Sequence, residues 1–349
     1  MSRDEEGIKE EVKVSNLFSN LGYFTRTHIQ LYPKEGKITD IDVLCIKFDN
    51  HLMFHQNIVE VKRSNDSYSA IFQLYGLKTY FKNCDAFFVN DKINTRTLKV
   101  TKDLGIKAYS FKTLEKITEK DKKLDSIYLE ISHIQKIVEN LSKIKKEITP
   151  DLFWGYNNLW LERNPYLRLF KIQSLFKMTE EYYDASPEEE ALLWMRKELF
   201  MLGFISVYEI ASDCIELDPS VIEWYVEDNY YNLGTPKEKK IQLQEGIEKL
   251  LTIVKEKGGI NSDIKFELLP EWIPLLSKCV KKIISNARYA QRYLLRNETV
   301  FRSFLVGNPI KIREIGKSKV VIDILTTMNT DVLKILHKQH IKPDFSNFV

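Results

Sequence analysis

The chain has 349 residues, longer than the usual single domain, so two domains are expected. An apolar share of 44% and a charged share of 29% are those of an ordinary globular protein with real cores to bury. Net charge is only +3, and the first 115 residues hold 17 Lys and Arg against 15 Asp and Glu, which excludes a hold on nucleic acid through bulk electrostatics. A nucleic-acid partner would need a local basic rim, with metal ions offsetting acidic groups.

No apolar run approaches the ~20 residues that span a bilayer, and the opening MSRDEEGIKEE is acidic and polar, unlike a secretory signal. The expectation is no membrane association and a cytoplasmic location. Cys45, Cys84, Cys214 and Cys279 are scattered, without a CxxC pair or a histidine at zinc spacing. They read as buried free thiols, which suits a reducing compartment.

The elements follow in chain order. Ile8, Val12, Val14, Leu17, Phe18 and Leu21 fall near helical spacing, and Gly22 ends the run as a helix C-cap. Tyr23–Ile29 alternates as a strand, Thr39–Phe48 is strand-like, Asp49-Asn50 marks a turn, and Asn57–Lys62 is a third strand. Tyr68–Phe81 reads as helix, Ala86–Val89 as a short strand, Thr95–Leu104 as a helix closed by Gly105, and Ile106–Tyr109 as a last strand. This order, α-β-β-β-α-β-α-β, predicts an α/β domain over residues 1–115 with a mixed central sheet.

From about Leu114 the strand signals fade. Leu124, Ile131 and Val138, with Lys145 completing the series, alternate with Ile127, Ile134, Leu141 and Ile148 in a heptad pattern. This predicts a connecting helix over 116–150. Ile137 and Ile144 widen its apolar stripe beyond a two-stranded seam, so dimerisation and intrachain packing both stay open. Residues 151–349 read as an α-helical region, with helix starts at Ser186-Pro187, Asp218-Pro219 and Thr235-Pro236 and a loop at Gly258-Gly259.

The chemistry concentrates in Ile41-Asp42-Val43-Leu44 and, 18 residues after Asp42, Val59-Glu60-Val61-Lys62. Residues two apart on a strand share a face, so Glu60 and Lys62 point one way and Val59 and Val61 the other. Charge on a strand inside an α/β sheet is costly unless paired or bound to metal. With Asp42 on the neighbouring strand, two carboxylates and an ammonium converge. Two carboxylates are hard oxygen ligands suited to Mg²⁺, and a neighbouring lysine stabilises negative charge developing on a phosphate.

Asp42 followed by Glu60-x-Lys62 on the next strand resembles the PD-(D/E)XK nuclease superfamily, whose restriction-endonuclease-like core has the order αβββαβ. The Mrr-like, RecB-like and Holliday-junction-resolvase-like group is the most similar. Its first helix carries a glutamate ahead of Leu-Gly-Tyr, as in Glu11-x-x-Val14-Ser15-x-Leu17-Phe18-x-x-Leu21-Gly22-Tyr23, and its helix after the lysine strand often carries a glutamine, as at Gln73. The resemblance covers roughly residues 5–115, and Ile41 stands where the family's proline would be. It implies Asp42 and Glu60 as ligands of Mg²⁺ or Mn²⁺, Lys62 as catalytic lysine, Glu11 as an outer or water-mediated ligand and Gln73 as a site-orienting group. Asp40 competes with Asp42, and Glu10 with Glu11. The implied activity is a metal-dependent DNA endonuclease of prokaryotic defence or repair. The alternatives are an RNase or structure-specific nuclease, or a nuclease-fold binding subunit active only with a partner protein.

Arg26, Lys34, Lys37, Arg63, Lys78 and Lys82 are the candidate nucleic-acid contacts, and 124–148 or the helical region the candidate surface for a homodimer or partner protein. His28, His51 and His55 fit no ligand spacing and read as surface or turn residues, and His337 and His340 as a solvated face. Trp154, Tyr156, Trp160, Tyr166, Phe170 and Phe176 recur near helical spacing and read as core rather than base-stacking groups.

Overall fold

The first helix, α1 (Arg3–Asn20), stops where the sequence predicts it to stop. Gly22 takes φ +80°, the Tyr23 N–H donates to the Phe18 carbonyl at 3.1 Å, and the chain turns directly into β1 (Phe24–Leu31). A glycine suits that position because a Cβ is strained in the left-handed region. β2 (Thr39–Phe48) and β3 (Phe54–Lys62) form a hairpin whose loop is organised by Asp49, its carboxylate accepting from the His51 and Met53 N–H groups at 2.8 and 2.9 Å. Then follow α2 (Tyr68–Tyr80), β4 (Cys84–Asn90), α3 (Thr95–Asp103), β5 (Lys107–Ser110) and α4 (Phe111–Thr118). Asn94 caps α3, its side chain accepting from the Thr97 N–H, and Gly105 closes it at φ +64°. The protein is seen in a computed structural model that describes residues 3–31, 39–63, 68–81, 84–118, 149–183, 189–231 and 272–305, with 233, 245, 246, 249 and 252.

The sheet is mixed, in the order β1-β2-β3-β4-β5. β1–β2 and β2–β3 are antiparallel; β3–β4 and β4–β5 are parallel. The expected element order and mixed sheet are therefore present. One face is covered by α1 and α4, through Val14, Phe18, Phe111 and Leu114 against Val43, Cys45, Val59, Val61, Phe87 and Val89. Val59 and Val61 thus point into this core, as the alternation predicts. All four cysteines are free and buried.

The other face is shared. α2 buries Ala70, Ile71, Leu74 and Leu77 toward it. Its other buried partners come from the helices α5 (Thr149–Leu161), α6 (Pro165–Tyr183), α7 (Glu189–Asp213), α8 (Ile222–Tyr231), α9 (Trp272–Ile284) and α10 (Ala290–Leu305), whose apolar residues join one cluster with the strands. Trp160 of α5 stacks on Phe24 of β1 at 6.1 Å, and Tyr208 of α7 meets Phe48 of β2 edge-on at 5.5 Å. Gln291 of α10 accepts from the Phe48 N–H and donates to the Gly22 carbonyl, at 2.8 and 2.7 Å. The helical region and the sheet therefore share one buried core. Tyr156, Trp160, Tyr166 and Phe176 are core residues, as expected, while Phe170 is exposed and the Trp154 side chain lies outside the described residues.

The heptad segment 124–148, the helix starts at Ser186-Pro187 and Thr235-Pro236, Gly258-Gly259, and His337 and His340 also lie outside the described residues. No helix among the described residues is long and apolar enough to cross a membrane.

Candidate active site

The antiparallel register of β2 and β3 pairs Val43 with Val59, which puts Asp42 across from Glu60 at the end of the hairpin away from its loop. Lys62 follows on the same face of β3. Its Nζ lies 2.7 Å from Glu60 Oε1 and 3.6 Å from Asp42 Oδ2. Asp42 Oδ2 also accepts the Val61 N–H at 2.7 Å, which fixes the carboxylate against the neighbouring strand. Asp42 and Glu60 are only 6% and 3% exposed, whereas the Lys62 side chain is 36% exposed. Asp42, Glu60 and Lys62 thus form one cluster, with the lysine as its most exposed member.

Glu11, on α1, completes the cluster. One of its carboxylate oxygens is buried without a hydrogen-bond partner. Burial, then the nearby Asp42 and Asp40 carboxylates, push Glu11 up to about 8. Burial, then Asp42, push Glu60 up to about 7. Asp42 is raised as well, because burial outweighs Lys62 and the Val61 N–H. Burial opposes the charge on Lys62, but Asp42 and Glu60 more than compensate and raise it. One ammonium cannot satisfy three buried carboxylates. The set is short of positive charge, and its donors are all oxygen.

That donor set fits a hard divalent cation, with Asp42 and Glu60 as ligands and Glu11 close by. Among the described residues no group of three or more His, Cys, Asp or Glu side chains is arranged to hold a metal by itself. Mg²⁺ commonly binds through one or two carboxylates and completes its shell with water and phosphate oxygens.

The members of the two open pairs meet different partners. Glu10 turns away to Arg63, leaving Glu11 as the glutamate that feels Asp42. Asp40 faces His28, 3.6 Å from its Nδ1, while Asp42 meets Lys62. Gln73 donates to Thr39 Oγ1, at the start of β2, rather than to the carboxylates.

His28 is exposed, as the sequence predicts, and its ring also lies beside two of the site's carboxylates. It stands across the β1–β2 ladder from Asp42, between the pairs Thr27–Val43 and Ile29–Ile41. Its φ is +54°, a left-handed conformation inside a strand. Its Nδ1 faces Glu11 at 3.9 Å and Asp40 at 3.6 Å, and its Nε2 is 2.9 Å from Gln30 Nε2. With the glutamine amide donating, Nε2 accepts and the ring proton sits on Nδ1, toward the carboxylates. The only sequence signal was an imidazole on the strand paired with Asp42.

Of the expected basic rim, two described members are engaged elsewhere. Arg26 is buried, its guanidinium bonded to Glu198 at 2.6 Å and Glu298 at 2.8 Å, so it cannot meet a phosphate. Lys78 donates to the Gly105 carbonyl at 2.6 Å, ahead of β5 and so at the opposite end of the sheet from Lys62. Lys34, Lys37 and Lys82 lie outside the described residues. Arg63, half exposed and paired with Glu10, remains beside the site. No family model, curated protein or solved structure matches the chain.

Proposed function

We propose that the chain is a Mg²⁺-dependent nuclease of the PD-(D/E)XK type, hydrolysing DNA phosphodiester bonds on a restriction-endonuclease-like core. The observation that carries this is the meeting of Asp42, Glu60 and Lys62 at one end of the β2–β3 pair. The element order around the mixed sheet and the Glu11-bearing helix that ends in Leu-Gly-Tyr agree with the same reading.

In this reading Asp42 and Glu60 would hold the cation, which would make water a stronger nucleophile and offset charge on the phosphate. Lys62 is the half-exposed member, so its ammonium meets substrate first. Displaced from Glu60, it hydrogen-bonds the attacking water and the negative charge that develops on the phosphate oxygens. The Val61 N–H holds Asp42 in place throughout. Glu11 and His28 flank the site, the His28 ring adding a polar group beside the Asp40 and Glu11 carboxylates. The shared core with the helical region makes the β1–β2 half of the sheet a rigid support for these groups.

The test is cleavage of plasmid, single-stranded DNA and RNA by purified protein in Mg²⁺, Mn²⁺ or EDTA. Metal-dependent cleavage of DNA supports the proposal, and preference for RNA would move it to the ribonuclease alternative. No cleavage of any substrate in either metal counts against it.

A further inference from the structure

α2 exposes an aromatic stripe. Tyr68, Phe72 and Tyr75 are 38%, 59% and 42% exposed, although they belong to the helix that covers the β3–β4 half of the sheet. At 100° per residue they fall within about 60° of one another, opposite the face that buries Ala70, Ile71, Leu74 and Leu77, and they extend over about 10 Å. Among the described residues none of these rings packs on another aromatic ring. Single exposed apolar residues need no explanation, but three aligned aromatics on one helix mark an interaction surface.

We propose that this stripe is a stacking platform for the bases of a single-stranded nucleic acid, leading into the carboxylate–lysine site. The inference rests on the nuclease reading and names its substrate class. Three observations select this occupant. α2 follows β3 directly in the chain and returns along the sheet, so Tyr68 lies at the Lys62 end and Lys78 at the other. The same helix is tied to the site's rim through Gln73 and Thr39, two residues before Ile41. The helix carries no Asp or Glu, in a chain with 49 of them, so a polyanion meets no repulsion from it. Stacking needs no bulk positive charge, which agrees with the near-neutral first 115 residues and the buried state of Arg26. Bases stack only when unpaired, so the platform selects single strands, flaps or frayed ends over intact duplex.

The test uses the full chain with Ca²⁺ in place of Mg²⁺. Binding of a labelled oligothymidine about 12 nucleotides long is compared with binding of a duplex of equal length. The double variant Phe72→Ser/Tyr75→Ser removes only exposed rings, and its melting temperature is measured alongside. The expected result is a loss of roughly tenfold or more in oligothymidine affinity, with duplex affinity little changed and Phe72→Trp restoring binding. Unchanged oligothymidine affinity in the double variant, an equal loss for both probes, or no binding of either probe by the unaltered chain overturns the proposal. So does a sedimentation shift from dimer to monomer with oligothymidine binding intact, which makes the stripe an interface between copies. Binding is read without cleavage, so failure of the platform leaves the nuclease reading standing, and failure of the nuclease reading shows up as bound but uncut DNA.

Discussion

Arg26 on β1 and Glu198 on α7, 172 positions apart in the chain, meet at 2.6 Å with neither side chain more than a tenth exposed. Glu298 of α10 accepts from the same guanidinium at 2.8 Å. Lys197 bonds both glutamates at 2.5 and 2.9 Å, and the Tyr156 hydroxyl donates to Glu198 at 2.8 Å. Two cations and two anions therefore balance inside the joint between sheet and helices. Buried ion pairs add little net stability, but removing one partner leaves an uncompensated charge.

Arg26→Met should therefore cost about 3–5 kcal/mol, seen as a fall in melting temperature of roughly 6–15 °C. The same network sets an acid limit. Burial raises the Glu198 carboxyl, but Arg26 and Lys197 outweigh it and hold it below the ordinary glutamate value. A depressed folded pKa means the unfolded state binds the proton more tightly. Glu198 thus contributes stability above the ordinary glutamate pKa, and that contribution is lost as pH falls below it. Thermal melts against pH should show this slope for the unaltered chain and a shallower one for Arg26→Met. A melting temperature unchanged by the substitution would remove the network from the account.

His28 gives a prediction of mixed sign. Its left-handed φ costs a residue with a Cβ about 1 kcal/mol or more, and a β-branched residue most of all. His28→Gly should melt within a few degrees of the unaltered protein, while His28→Val should melt well below His28→Gly. Both should cut more slowly, because each removes the imidazole from Asp40 and Glu11. Equal stability of the Gly and Val variants would mean that the strand runs without the left-handed residue.

Removing acid from the crowded cluster should stabilise the metal-free protein. Glu60→Gln and Glu11→Gln each relieve repulsion among buried carboxylates, and each should raise the melting temperature in EDTA by roughly 2–4 °C. Millimolar Mg²⁺ should raise the melting temperature of the unaltered chain, since a ligand of the folded state stabilises it by mass action. It should do little for Glu60→Gln. A Mg²⁺ effect of the same size in both would place the cation elsewhere.

The β2–β3 pair was legible because its signal is local. The strand bounds at Thr39 and Phe48 follow from composition, and the alternation of Glu60 and Lys62 with Val59 and Val61 assigns both faces. Gly22 and Gly105 marked helix ends for the same reason. What stayed hidden depends on partners far along the chain. In Phe24-Thr25-Arg26-Thr27-His28 the arginine looks like one more polar position of a half-exposed strand, and nothing nearby announces glutamates 172 and 272 residues away. Lys78 reads as an exposed end of α2 until the fold brings the Gly105 carbonyl to it. The left-handed turn of His28 has no sequence signature, since glycine would have been the expected residue there.

The central claim is that Lys62, held between Glu60 and Asp42, acts on the scissile phosphate. The most direct measurement is single-turnover cleavage of DNA in Mg²⁺ by the unaltered chain and by Lys62→Ala, with both proteins shown to be folded by circular dichroism. The account predicts cleavage by the unaltered chain, and for Lys62→Ala a rate lower by roughly a hundredfold or more with DNA still bound. Equal cleavage rates for the two folded proteins would contradict it.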